Sequence, residues 1–212
     1  MSQAGAPVAA PGPVAAEDQA RANFYALLAR LYGAAPDAAL LAAIWAADPL
    51  PVGAGGGAAR DMAVAWRALA AASAITEVAG VADEYQNLFI GVGKSEVGLH
   101  ASGYLAPSGK SPLSELRATL ARLGLARRAD VNVYEDHLAA ICETMRVLIG
   151  GAPGIEPRAV AQQRDFFAVY IGSWVPACCN AIKASPIANY YRRVAEFTEF
   201  FVAIERDSLA IE

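Results

Sequence analysis

Cysteine is scarce in this chain, with three in 212 residues at Cys142, Cys178 and Cys179. An adjacent pair and a singleton form neither a disulfide framework nor the C-x-x-C spacing of a zinc site, so a reducing compartment is expected. Histidine is scarcer, at His100 and His137 alone. A helical di-iron site takes Glu-x-x-His pairs from two helices, and Tyr134 stands where the Glu partner of His137 would be. Charge is low: 17 basic against 21 acidic residues leave a net −4, with a pI of about 5.3. That balance argues against a protein that works by neutralising phosphates, so nucleic acid is not an expected partner. No G-x-S-x-G nucleophile elbow is present. Runs of alternating β-branched residues are missing as well, which removes any basis for a sheet.

The first sixteen residues contain no Lys or Arg, and eleven of them are Ala, Pro or Gly. The charged start of a secretory signal is missing there, so residues 1–16 read as a disordered tail and the protein as cytoplasmic. One long uncharged run exists, the 17 residues 166–182. It touches the lower limit for a membrane-spanning helix, but Pro176 interrupts it and Gly172, Ser173 and Asn180 dilute it. A buried helix of an all-α domain is the better reading, without membrane insertion.

What is present is helical periodicity. Phe24, Leu27, Leu28 and Leu31 recur at i, i+3, i+4 and i+7, with Asp18 placed as a cap. A short helix is expected over 37–47, a Pro/Gly loop over 49–57, and an Ala-rich helix over about 58–78 broken by Gly80. Residues 83–89 read as the next helix, and 91–112, with five Gly and two Pro, as a central loop. Pro112 opens a helix carrying Leu113, Leu116, Leu120 and Leu123 that ends at Gly124. Residues 134–149 form the next helix. Phe167, Tyr170, Ile171 and Trp174 repeat the helical pattern, and Tyr190, Val194, Phe197, Phe201 and Ile204 make a core stripe in the last helix. The expected fold is all-α: a single bundle-like domain of about eight or nine helices over residues 17–212.

Two Gly-Lys-Ser tripeptides, at 93–95 and 109–111, invite a nucleotide-binding reading. A phosphate loop needs another Gly five residues before the second one, yet Leu88 and Tyr104 occupy those places and no strand precedes either copy. Solvated loops are the simpler account. Glu135, Asp136 and His137 sit at a helix start, where acidic side chains favour the helix dipole without any further role. The cysteines read as small core residues.

The element Glu84-Tyr85-Gln86-Asn87-Leu88-Phe89-Ile90-Gly91, then Ser102-Gly103-Tyr104, then Asp136-His137 followed by Glu143-Thr144-Met145, resembles the TorD/DmsD family of redox enzyme maturation chaperones. Order and spacing match across most of residues 20–208. The family typically shows E-Y-x-x-L-F-x-G, a Ser and Tyr in the central loop, and P-D-H-[IL] leading into E-x-E-x-M. Here Glu135 replaces the Pro and Ile141 the first Glu. The stretch 88–105 looks most like the branch associated with formate dehydrogenases. The resemblance implies a non-enzymatic chaperone without a cofactor, monomeric or homodimeric, for the precursor of a molybdopterin oxidoreductase. That client is formate dehydrogenase, through its catalytic subunit, and contact is often at the twin-arginine signal peptide. Tyr85, Leu88, Phe89, Ser102, Tyr104, Asp136, His137 and Glu143 are the implied client-binding residues. A signal peptide offers basic and apolar parts, so its receptor needs carboxylates beside an apolar wall. Asp136 and Glu143 are expected on one helix face about 10 Å apart, with Tyr85, Leu88 and Phe89 as wall or as core. The rivals are a hydrolase using Asp136 and His137, or a nucleotide-regulated adaptor using the Gly-Lys-Ser loops.

Overall fold

The computed structural model describes residues 15–51, 57–106, 111–128 and 130–211. The expected N-terminal tail and Lys110 lie outside these residues, except that Ala16, at the end of that tail, already opens the first helix. Among the described residues there are nine α-helices and no strand, only two isolated backbone bridges. They are α1 (Ala16–Gly33), α2 (Ala38–Ala46), α3 (Gly57–Ile75), α4 (Val78–Tyr85), α5 (Pro112–Arg122), α6 (Leu138–Gly150), α7 (Val160–Phe167), α8 (Val175–Ala184) and α9 (Tyr190–Ile211). A π-helical turn extends α4 over Gln86–Ile90 and another extends α7 over Ala168–Gly172. The expected all-α domain is present.

Local chemistry sets several ends. Asp37 accepts the Leu40 N–H at 2.7 Å and starts α2; Ser111 accepts the Ser114 N–H at 3.2 Å ahead of Pro112 and starts α5. Asp18 does not cap α1. It lies in the first turn and pairs with Arg21 at 2.8 Å. Gly80 does not break a helix either: α3 stops at Ile75, and Gly80 sits inside α4. The break falls at Thr76, whose hydroxyl bonds back to the Ala72 carbonyl at 2.7 Å.

Packing pairs α1 with α6, α3 with α9, α8 with α9 and α2 with α3. The buried face of α1 is turned from the expected stripe: Tyr25, Leu28, Leu31 and Tyr32 are fully buried. Phe24 is half-buried and sits against Trp66, Phe197 and Phe201, with ring centroids 5.4 to 6.1 Å apart. On α9 the stripe holds through Phe201, but the buried position beyond it is Glu205 and not Ile204. Arg21 Nε donates to Glu205 Oε1 at 2.7 Å, and Tyr25 donates to Oε2 at 3.1 Å. A carboxylate is tolerated in that core because two donors from α1 meet it. The uncharged run at 166–182 is divided among the end of α7, its π turn and α8. Among the described residues no single helix is long and apolar enough to cross a membrane.

The 84–91 element is a joint. The Glu84 carboxylate accepts the N–H groups of Asn189, Tyr190 and Tyr191 at 2.8 to 3.0 Å, so a side chain of α4 caps the start of α9. The Tyr85 hydroxyl donates to the Tyr32 carbonyl at 3.1 Å, and that of Tyr191 to the Leu31 carbonyl at 2.8 Å, so both serve the end of α1. Gly91 closes the π turn at φ +65°, donating to the Gln86 carbonyl at 2.7 Å. A Cβ there would lie 2.2 Å from the Lys94 carbonyl oxygen, so only glycine fits.

Candidate functional site

Two chain segments far apart in sequence meet in front of α6. The Ala101 N–H donates to the Asp136 carbonyl at 2.9 Å and the Leu138 N–H to the Leu99 carbonyl at 2.8 Å, forming the antiparallel bridge between His100 and His137. Residues 134–137 are therefore not helical, contrary to the sequence expectation. The α6 helix begins at Leu138 because the backbone groups that would extend it backwards are engaged with the 99–101 segment.

Asp136 is the hub. Its side chain is 4% exposed. Oδ1 lies 3.0 Å from His100 Nδ1, while Oδ2 accepts the Ser102 hydroxyl at 2.6 Å and the Ser102 N–H at 3.3 Å. Burial alone would raise its pKa, but the hydrogen bonds from His100 and Ser102 outweigh it and hold the carboxyl at about 2. Asp136 is an anion at neutral pH.

His137 is the N-cap of α6, with Nδ1 accepting the Ala139 N–H at 3.2 Å. That geometry requires an unprotonated Nδ1, and burial, reinforced by neighbouring His100, pushes the imidazole pKa down to about 4. The two histidine rings meet edge to face with centroids 4.9 Å apart. Tyr134 stands 57% exposed on the outer side, its ring centroid 6.5 Å from that of His100.

The other candidates divide. Ser102 belongs to the Asp136 cluster. Tyr104, half-buried one turn on, donates to the Gly98 carbonyl at 3.0 Å and rests on Trp174. Glu143 is elsewhere: it is exposed on α6 and forms a two-pronged pair with Arg146 at 2.7 and 2.8 Å. The expected shared helix face with Asp136 does not exist, because Asp136 precedes the helix. Tyr85, Leu88 and Phe89 are core, with Leu88 fully buried and Phe89 packed on Tyr85 and Tyr191. All three are buried, which is the core alternative of the two expected. Glu135, in the place of the family's proline, pairs with Arg117 at 3.0 Å and Arg127 at 3.6 Å. Ile141 is buried.

A family model described as the nitrate reductase delta subunit matches residues 56–180, more than half of the chain. The chain belongs to this family. Nitrate reductase delta subunit proteins are TorD-like chaperones that assist the maturation of molybdoenzymes, and their partners are the precursors of those enzymes. The matched span contains the 84–91 joint, the 102–104 turn and the Asp136 cluster; α1, α2 and α9 fall outside it. A comparison with curated proteins finds no match.

Within this family member, His100 is the residue that sequence reasoning missed. The signal available was its place two residues before Ser102 in the same loop. Its pairing with Asp136 depends on a contact across 36 positions, which spacing along the chain does not reveal. The hydroxyl of Ser102 donates to Asp136 and not to either histidine, so the cluster is not ordered as nucleophile, base and orienting acid. Among the described residues no group of three or more His, Cys, Asp or Glu is placed to hold a metal. A surface groove of about 340 Å³ between α7 and the end of α9, lined by Arg164, Phe167, Arg206 and Leu209, contains none of the candidate residues.

Proposed function

We propose that the protein is a cytoplasmic chaperone that binds the precursor of a molybdopterin oxidoreductase, formate dehydrogenase by resemblance of its 88–105 stretch, at the twin-arginine signal peptide. It keeps the precursor from export until the cofactor is installed. The observation that carries this reading is the Asp136 cluster, which lies inside the family-matched span and keeps a carboxylate ionised behind a partly exposed histidine and an exposed tyrosine. A basic, partly apolar peptide is the complement of such a surface. Client binding then involves His137 and Ser102 through the cluster they share with Asp136, and Tyr104 from its neighbouring turn. Tyr85, Leu88 and Phe89 support the site from the core, and Glu143, paired with Arg146, offers a polar contact further along α6.

Affinity capture from native cells grown to express respiratory oxidoreductases tests the reading. The expected capture is a molybdoenzyme precursor still carrying its signal peptide. Recovery of the mature enzyme only, or of no oxidoreductase, would contradict it.

A further inference from the structure

Asp136 cannot itself be the surface that a basic peptide touches. Its side chain is almost entirely buried, Oδ1 is occupied by His100 and Oδ2 by both donors of Ser102. A guanidinium would have to dismantle the cluster to reach it. His100 presents the opposite case, since 43% of its side chain is exposed.

An ionised carboxylate offers no proton, so the hydrogen bond at 3.0 Å requires His100 Nδ1 to donate. In the neutral imidazole the acceptor is then Nε2, and no described group engages it. The ring cannot turn freely. The backbone bridge to His137 fixes its segment, the edge-to-face contact with His137 fixes one face, and Tyr134 stands beside it. Asp136 behind the ring raises the electron density at Nε2, as a carboxylate does for any imidazole that donates to it.

Resting on the signal-peptide reading above, we infer that His100 is the residue that meets the client, with Nε2 accepting an N–H from an arginine side chain. Asp136 is a positioning residue that fixes the tautomer and supplies the negative charge through the ring. The ligand class is a guanidinium-bearing peptide, and recognition uses a hydrogen bond to an imidazole instead of a direct salt bridge.

Calorimetric titration with two synthetic peptides tests this. One carries an arginine pair before an apolar stretch; in the other both arginines are glutamine. His100→Asn places an amide nitrogen where Nδ1 was, so the Asp136 bond is kept and the outer acceptor removed. It is expected to weaken the arginine peptide about tenfold, the scale of one charge-assisted hydrogen bond, and to leave the glutamine peptide unchanged. His100→Gln, whose amide reaches the Nε2 position, should recover part of the loss. In the wild-type protein the Nε2 nitrogen resonance of His100 should shift on adding the arginine peptide and not the other. An unmoved resonance overturns the inference whether or not the variants fold. Equal affinity of His100→Asn and wild type also overturns it while leaving the signal-peptide reading intact. Tighter binding by His100→Asn would make His100 a plug displaced by the arginine, which overturns it too. Failure of the wild-type protein to bind either peptide removes both readings.

Discussion

At the scale of single residues, His137 couples folding to pH. It caps α6 through an unprotonated Nδ1 and is held neutral by burial, with a pKa of about 4 in the folded protein against about 6.5 unfolded. A lowered folded pKa means that the unfolded chain binds the proton first as pH falls. The stability this group contributes is complete above about pH 6.5 and is lost as pH falls through about 4. At pH 4.5 the loss is about 2.5 kcal/mol, or roughly 5–10 °C in melting temperature for a chain of this size. Asp136, held at about 2, adds its own loss only below about pH 4. Asparagine caps helices well and does not titrate. His137→Asn is therefore expected to flatten the melting temperature between pH 6.5 and 4.5, measured by circular dichroism. An unchanged slope would place the acid sensitivity in another group.

At the scale of elements, the 84–91 joint is more architectural than its motif suggests. Glu84 caps α9, Tyr85 donates to the end of α1, Leu88 and Phe89 fill the core, and Gly91 makes a left-handed turn. Glu84→Ala should cost about 1–3 kcal/mol in chemical denaturation, since a cap and a favourable charge at the α9 N-terminus are lost together. Glu84→Gln, with one acceptor oxygen left, should cost less, and client affinity should not change in either. A large affinity loss without destabilisation would instead make Glu84 part of the client surface. Helix periodicity made most elements legible, α5 with its Ser111 and Pro112 start above all. It misplaced the starts that long-range bonds determine. Residues 134–137 fit a helical pattern with α6 but are held by the 99–101 segment. Glu205 holds a core position next to the expected Ile204 because Arg21 and Tyr25, some 180 residues away, receive it.

For the whole molecule, helices from both ends of the chain, α1 and α9, enclose the family-matched region and join each other through the Arg21–Glu205 pair. The Asp136 cluster lies at the start of α6, the helix that packs along α1, where a loop crosses in front of it. The candidate site was legible in part: Asp136, His137 and Ser102 come together as the motif order implies, whereas Glu143 and the 85–89 residues do not join them. Spacing along one helix cannot reveal that a helix starts later than its pattern, which is why the sequence alone groups Glu143 with Asp136. The central claim is that the Asp136 charge serves client recognition. Calorimetric titration of the client signal peptide into wild-type and Asp136→Asn protein, beside thermal melts of both, tests it most directly. Affinity is expected to fall by about 1.5–3 kcal/mol, or roughly 10- to 150-fold, with the helical fold retained. Unchanged affinity with only a lowered melting temperature would make Asp136 a structural charge at a helix start and contradict the account.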